Sequence, residues 1–439
     1  MRIILDIPLS LSRLLCAIGN NESPARGSTV FAIVTDSREA REGDLFFALA
    51  SQRNERETHV RDANARGAIT VGDTSDAAIY VKDTRRALLS LAVLYKSELR
   101  LLGHTVGITG SSGKTTATRF IARLLSERYR VHSTIGNYNN IIGLSLTVLC
   151  APRDTEILVL EMGMNAEGEI RELAGAIMPD VCLITNIGTA HIGNLGSREA
   201  IARAKSEIVT ELCTTVICPA DEALLGHIPQ KLTFSVGEGG DFSLLGECFA
   251  SPFGTVKVQE CKPYLRSAVC AAMAVVTTIE DRLTYFGDEV CELEGRATTH
   301  LIRGITVIDD SYNSSPEAVE LMLGYLSCLE PPRSVLLSDM LELGSKAHEL
   351  HFLVGKRISE LGIDNLFAVG NYAEEIARGA IYHGYAGLIR IYPLDVNLRE
   401  VATDVLDASD GGHLLIKGSH ATGLHQILEI LKEMENEGI

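Results

Sequence analysis

The stretch Gly107-Ile-Thr-Gly-Ser-Ser-Gly-Lys-Thr-Thr116 constrains this chain more than any other. The residues before it, His104-Thr-Val-Gly-Ile-Thr109, are β-branched and bounded by glycine, the pattern of a buried strand. After it, Ala117, Phe120, Ile121, Leu124 and Leu125 recur at helical spacing. Strand, glycine turn and helix together make a phosphate-binding loop. The backbone N–H groups of Gly110, Ser111, Ser112, Gly113 and Lys114 can converge on one anion at the positive end of the helix. Lys114 then reaches the terminal phosphates, and the hydroxyl of Thr115, followed by Thr116, holds Mg²⁺. The longer form of this motif has a glycine five residues before Gly113. Ile108 stands there instead, which leaves the shorter G-x-x-G-K-T-T form. A plain strand-to-helix turn with an incidental lysine is the bland alternative, and the intact flanking strand and helix count against it.

A chain of 439 residues is too long for one core, so several domains are expected. Hydrophobic residues make up 46% and charged residues 22%, the balance of an ordinary globular protein. The net charge of −17 argues against a nucleic-acid partner. It also obliges any site for an anionic substrate to gather lysines, arginines and helix N-termini. No run approaches the ~20 apolar residues of a membrane span, so no membrane insertion is expected. Met1-Arg-Ile-Ile-Leu-Asp-Ile-Pro8 puts Asp6 and Pro8 where the apolar core of a leader would stand. The ten cysteines include no Cys-x-x-Cys pair and fall partly inside apolar runs, which fits free thiols in a reducing, cytoplasmic setting.

Taken in order, the chain reads as α/β throughout, in three domains. Residues 1–82 suggest a small α/β domain with an opening helix carrying Leu9, Leu11, Leu14, Leu15 and Ile18. Residues 83–294 suggest a central phosphate-loop domain with a mainly parallel sheet. Its strands are continuous apolar runs at Ile157–Gly163, Val181–Gly188 and Thr215–Pro219, as expected when both faces are covered. Ligands in such sheets bind beyond the carboxyl ends of the strands, where Glu161, Asn186 and His191 fall. A small antiparallel patch is expected around 235–265. Residues 295–439 restart the alternation as a Rossmann-like, doubly wound domain. Its strands are expected at 305–309, 334–338, 365–370 and 413–417, with helices at 315–328, 346–361, 372–382 and 422–435.

Several polar residues stand where chemistry is possible. Glu161 ends a buried strand near the phosphate loop and suits Mg²⁺, or equally a cap or ion pair. His191 alone reads more readily as a structural histidine, and Lys205 alone as a surface lysine. Asp309-Asp310 ends a strand before Ser-Tyr-Asn-Ser-Ser-Pro316 and suits ribose hydroxyls or a cation, or simply a helix cap. Asp36-Ser37-Arg38 alone reads as a solvated turn.

Together these segments resemble the Mur ligases of cell-wall synthesis. The resemblance runs in order through nearly the whole chain. It starts with Asp36-Ser-Arg38 and Gly43-Asp-Leu-Phe46, then Gly110–Thr116 and Gly136-Asn-Tyr-Asn-Asn-Ile-Ile-Gly143. It continues through Glu161-Met-Gly163, Gly168-Glu-Ile170, Thr185–His191 and Ala204-Lys-Ser-Glu-Ile208. It ends with Asp309-Asp-Ser-Tyr-Asn313, Asp339-Met-Leu-Glu-Leu-Gly344 and Lys417-Gly-Ser419. The loop is shared by all Mur ligases and by folylpolyglutamate synthetases. The Asp-Asp-Ser-Tyr-Asn and Asp-Met-Leu-Glu-Leu-Gly segments point to the dipeptide-adding branch.

The resemblance implies an ATP-dependent amide ligase, working as a monomer, that joins D-alanyl-D-alanine to UDP-N-acetylmuramoyl-tripeptide through an acyl phosphate. It implies that Lys114, His191 and Lys205 are catalytic, that Thr115, Glu161, His191 and Lys205 hold Mg²⁺, and that Lys205 is carbamylated. Asn186, Arg296 and Asp310 would join the loop residues in binding ATP. Ser37, Arg38, Asn137, Asn139, Asn140, Asn313 and Lys417 would contact the other substrates. The chain departs from the family at Arg53-Asn-Glu-Arg-Glu-Thr-His59, where Asp-Gly-His is usual. It departs again near Ala268, which lacks the usual asparagine, and at His420, where arginine is usual. These departures keep open a ligase of the same class with another acceptor or amine. A regulatory protein that binds ATP without turnover is the alternative of another kind, and the intact Lys114, Thr115, Glu161, His191 and Lys205 count against it.

Overall fold

A computed structural model describes residues 1–19, 29–102, 104–258, 260–282 and 295–437. The expected domain boundary at 294 falls outside them. Residue contacts divide the chain into two units. The first holds Met1–Thr185, Arg203–Val258 and most of the helix Arg266–Glu280. The second holds Asn186–Ala202 and the C-terminal residues from 295 onward.

The first unit contains two sheets. The smaller has five strands in chain order: Arg2–Ser10, Thr29–Val34, Leu45–Phe47, Ile69–Gly72 and Ile79–Tyr80. Only the first pair is antiparallel. The opening helix begins later than its apolar spacing suggests. Ile3, Leu5, Ile7 and Leu9 are buried in strict alternation, so Leu9 belongs to a strand. Ser10 then caps the helix Leu11–Ala17 through the Arg13 N–H. Leu9 fits both periods, and the cap decides between them. The helix Thr84–Glu98 buries Tyr95 completely, and its hydroxyl donates to the Ala151 carbonyl at 2.9 Å.

The larger sheet has nine strands. From one edge these run Gly254–Lys257, Cys248–Ser251, Phe242–Leu245, Leu232–Val236 and Thr215–Pro219, then Val181–Ile184, His104–Thr109, Ile157–Glu161 and Val131–Ser133. The antiparallel patch is the first three of these; the rest pair in parallel. Every residue of Ile157–Glu161 and Val181–Ile184 is buried, which is why those strands read as unbroken apolar runs. His104–Thr109 lies between these two, so the carboxyl ends of three adjacent central strands converge where the phosphate loop begins.

The second unit has a six-stranded sheet in the order Thr298–Ile302, Ile305–Asp310, His413–Lys417, Arg333–Ser338, Asn365–Val369 and Leu388–Tyr392. Only the first pair is antiparallel. The two edge strands and the helix Leu398–Ala408 add to the expected elements. Leu388–Tyr392 buries only Tyr392 fully, so it has no apolar run to announce it. Apolar clusters lie on both faces of the sheet. The helices Ala347–Glu360 and Ala373–Tyr382 meet backbone to backbone: a Cβ on Gly355 would lie 1.9 Å from the Ile376 carbonyl oxygen. Beyond Arg333–Ser338, the Asp339 carboxylate accepts the N–H groups of Asn371 at 2.9 Å and Tyr372 at 3.0 Å. The next residue, Met340, donates its N–H to Nε2 of buried His351 at 2.9 Å. Burial holds the His351 pKa down, so the ring can accept there. Among the described residues, no helix is long and apolar enough to cross a membrane.

Candidate active site

In the first unit the loop is built as its sequence suggests. Gly110 and Gly113 hold φ of 151° and 75°, conformations open to glycine, and Gly113 begins the helix Lys114–Leu125. Lys114 Nζ folds back to the Gly110 carbonyl at 2.8 Å, so the ammonium lies over the loop. Ser111 and Thr115 are buried, while Ser112 and Thr116 are partly buried. The Thr185 hydroxyl holds the Ser112 carbonyl at 2.6 Å, tying the loop to the end of the neighbouring strand.

Glu161 is neither a helix cap nor exposed. It is buried, and its two oxygens accept from Thr115 Oγ1 and Asn139 Nδ2, each at 2.8 Å. Its own N–H donates to Thr134 Oγ1 at 2.8 Å. Asn139 is placed by backbone: Gly163 N–H donates to its carbonyl at 2.8 Å, and a Cβ on Gly163 would strike its side chain at 2.9 Å. Asn140 caps the helix Ile141–Leu149 through the Gly143 N–H, and Asn137 is exposed. Of the three asparagines, then, one supports Glu161, one starts a helix and one faces solvent.

Lys205 is no surface residue; it is 1% exposed. Burial, and then the charge of Lys114, pushes its pKa well below the usual lysine range. Glu207 of the same motif has a structural task. Its carboxylate accepts from the N–H groups of Gly168 and Arg171 and pairs with the Arg171 guanidinium at 2.6 Å, capping the helix Glu169–Ile177. Ser37 is buried. Arg38 is committed to Asp36, and that hydrogen bond holds the Asp36 carboxyl well below the usual carboxylate range.

The second unit assembles another set. Lys417, fully buried, donates to Asp310 Oδ2 at 2.5 Å and to the Asn313 carbonyl at 3.0 Å. Burial pushes the Asp310 carboxyl up, against the pull of Lys417. The adjacent Asp309 holds Ser311 and so shapes the turn. The Arg296 guanidinium lies 4.3 Å from the centre of the Tyr312 ring. His420 stacks on His425 at 4.1 Å. Asn186 is partly buried at the start of the loop that carries His191. His191 Nδ1 lies 2.5 Å from Glu342 Oε2, and this contact holds the Glu342 carboxyl below its usual range.

Thr134, Glu317 and Glu342 carry no role in the sequence reading, although Glu342 lies inside a quoted motif. Their partners are remote in the chain, and no local pattern announces them.

The family described as Mur ligase middle domain matches residues 108–243, and that described as Mur ligase, glutamate ligase domain, matches residues 295–420. A UDP-N-acetylmuramoyl-tripeptide–D-alanyl-D-alanine ligase of Bacillus subtilis is 35% identical over 92% of this chain and 94% of its own. The crystal structure of MurF from Acinetobacter baumannii superposes with a TM-score of 0.86 at 26% identity, covering 98% of this chain and 100% of the other. The MurF ligase of Thermotoga maritima, in complex with ADP, gives 0.80 at 26%, covering 93% and 98%. Sequence, fold and matched domains agree: this chain belongs to the Mur ligase family.

Proposed function

We propose that this protein is an ATP-dependent, ADP-forming amide ligase that adds D-alanyl-D-alanine to UDP-N-acetylmuramoyl-tripeptide in the making of peptidoglycan precursors. The observation that carries the chemistry is the buried Glu161 carboxylate bonded to Thr115 beneath the phosphate loop. The relatives' names supply the substrates.

ATP phosphorylates the terminal carboxylate of the nucleotide peptide. The amine of the dipeptide attacks the acyl phosphate, the amide forms and phosphate leaves. Such transfer needs positioning and charge neutralisation more than covalent help. Lys114 serves the β- and γ-phosphates. The Thr115 hydroxyl and the Glu161 carboxylate are hard oxygen donors in contact at 2.8 Å, and these two residues would hold Mg²⁺. When bound, that ion supplies charge stabilisation. The depressed pKa of Lys205 suits carbamylation, in which the neutral amine takes up CO₂ and releases a proton. The anion so formed would offer another oxygen ligand where a buried neutral amine stood. We assign His191 to a further Mg²⁺ contact, Asn186, Arg296 and Asp310 to ATP, and Asn313 and Lys417 to substrate. Ser37 and Arg38 are assigned to the nucleotide peptide. The domains at 1–82, 83–294 and 295–439 then serve the UDP end, ATP, and the closing nucleotide contacts with the dipeptide. A cytoplasmic monomer fits this reading.

The test is phosphate release from ATP with each substrate omitted in turn. Dependence on both the UDP-tripeptide and D-alanyl-D-alanine is expected. Release that needs neither, or a different amine, overturns the assignment.

A further inference from the structure

The two ring nitrogens of fully buried His351 face opposite kinds of partner. Nδ1 lies 2.7 Å from the Ala347 carbonyl, one turn back on the same helix, and a carbonyl can only accept. Nε2 lies 2.9 Å from the Met340 nitrogen, whose N–H can only donate. One form of the ring makes both bonds at once, the neutral one with its proton on Nδ1. The Tyr372 ring stacks on it at 4.6 Å. Three charged or titratable groups also act on it: Asp339 beside Met340, His348 on its own helix, and Glu375 on the helix Ala373–Tyr382. Burial is the largest influence and holds the ring's pKa below 6.5. The Ala347 carbonyl, Asp339 and Glu375 pull upward, and His348 adds to the lowering. Met340 in turn leads to the loop of the other histidine. Two residues on, the Glu342 carbonyl accepts the Gly193 N–H at 3.0 Å, and a Cβ on Gly193 would lie 2.5 Å from the Gly344 nitrogen. Residues 342–344 thus lie backbone to backbone against the loop that carries His191.

We propose that His351 is a positioning residue for the ligase reaction: its neutral ring holds Met340, and through it residues 342–344, against the loop of His191, and a proton on Nε2 releases that hold. The proposal rests on the reading that His191 serves the reaction. A charged ring turns an N–H toward the Met340 N–H, so ring and segment must part. Asp339 stays bonded to the N–H groups of Asn371 and Tyr372, which confines the release to the residues after it. Turnover is then lost reversibly in acid, ahead of the fold.

Two variants test it. In His351→Gln the amide oxygen can still accept from Met340 but takes no proton. His351→Phe keeps a flat ring and has no acceptor. Hydrogen exchange of peptides spanning 339–344 and 188–195 is followed in the free protein at pH 8, and kcat and KM for ATP are measured from pH 8 down to pH 5. His351→Phe should exchange faster in both peptides and lose about 10-fold in kcat with KM little changed, the cost of an orphaned buried N–H and a misplaced loop. His351→Gln should stay within about 3-fold of wild type at pH 8 and hold its kcat in acid where the wild type falls. Wild-type protection and kcat in folded His351→Phe, or the same acid fall in wild type and His351→Gln, overturns the proposal. If His351→Phe does not fold, the acid profiles of wild type and His351→Gln decide. Failure of the ligase reading would show separately, as absence of substrate-dependent phosphate release in the wild type at pH 8.

Discussion

Glu161 meets the Thr115 hydroxyl at 2.8 Å with one oxygen, while its other oxygen is already claimed by an amide. The carboxylate is thus aimed by two neutral donors, a hydroxyl and an amide. Glu161→Gln preserves the shape and removes that charge. It should raise the Mg²⁺ concentration needed for half-maximal phosphate release by about 10–100-fold, the range seen when a metal's surroundings are disturbed. An unchanged Mg²⁺ dependence would remove Glu161 from the metal.

Lys114→Ala should lower kcat by ~10²-fold or more, the usual loss when one charge-stabilising donor is removed. Its ammonium donates to a carbonyl of the loop itself, so the melting temperature should change little. Near-normal turnover in the folded variant would sink the assignment.

Lys205 gives opposite expectations for stability and activity. A buried amine with no ion pair among the described residues costs folding free energy, so Lys205→Met should stabilise the nucleotide-free protein by about 1–3 kcal/mol in bicarbonate-free buffer. The pKa is lowered in the fold, so the unfolded chain binds the extra proton. Wild-type stability should therefore climb toward that of Lys205→Met as pH rises into the ordinary lysine range, near 10.5. Turnover should be lost in Lys205→Met and in Lys205→Arg, which stays charged. Short carboxylic acids should partly restore Lys205→Ala. Full activity of Lys205→Arg without bicarbonate would argue against a carbamate.

Much of this was legible because it is local. The phosphate loop, its strand and its helix lie within twenty-odd consecutive residues, and the buried strands announce themselves as apolar runs. The edge strand Leu388–Tyr392 is half solvated and carries Arg390, so it looks like a loop. The supports of the site were hidden for another reason. Asn139 reaches Glu161 across 22 residues, Glu161 reaches Thr134 across 27, and Thr189 reaches Glu317 across 128. Burial of Lys205 is likewise set by tertiary packing, and a charged residue on a helix usually faces water.

His104 gives a pH signature away from the chemistry. Its Nδ1 lies 3.0 Å from Asp180 Oδ2, and that hydrogen bond raises its pKa above the usual 6.5. The pair therefore stabilises the fold below that value and stops doing so as pH rises through the raised one. About a third of the His104 side chain is exposed, so solvent screening keeps the effect to about 1 kcal/mol or less. His104→Gln should melt below wild type at pH 5.5 and nearly with it at pH 8.5. A difference that grows toward alkaline pH would contradict the pairing.

The segment Asp339–Gly344 is anchored at one end and functional at the other. Asp339 and Met340 fasten it to the sheet through Asn371, Tyr372 and His351, and Glu342 touches His191. Loosening the anchor would let the tip wander while most of the sheet stayed intact. A change at Asp339 or His351 should then show itself first as activity that fades on warming well below the melting point. In a screen it would pass for damage to the catalytic machinery, although neither residue is assigned a ligand.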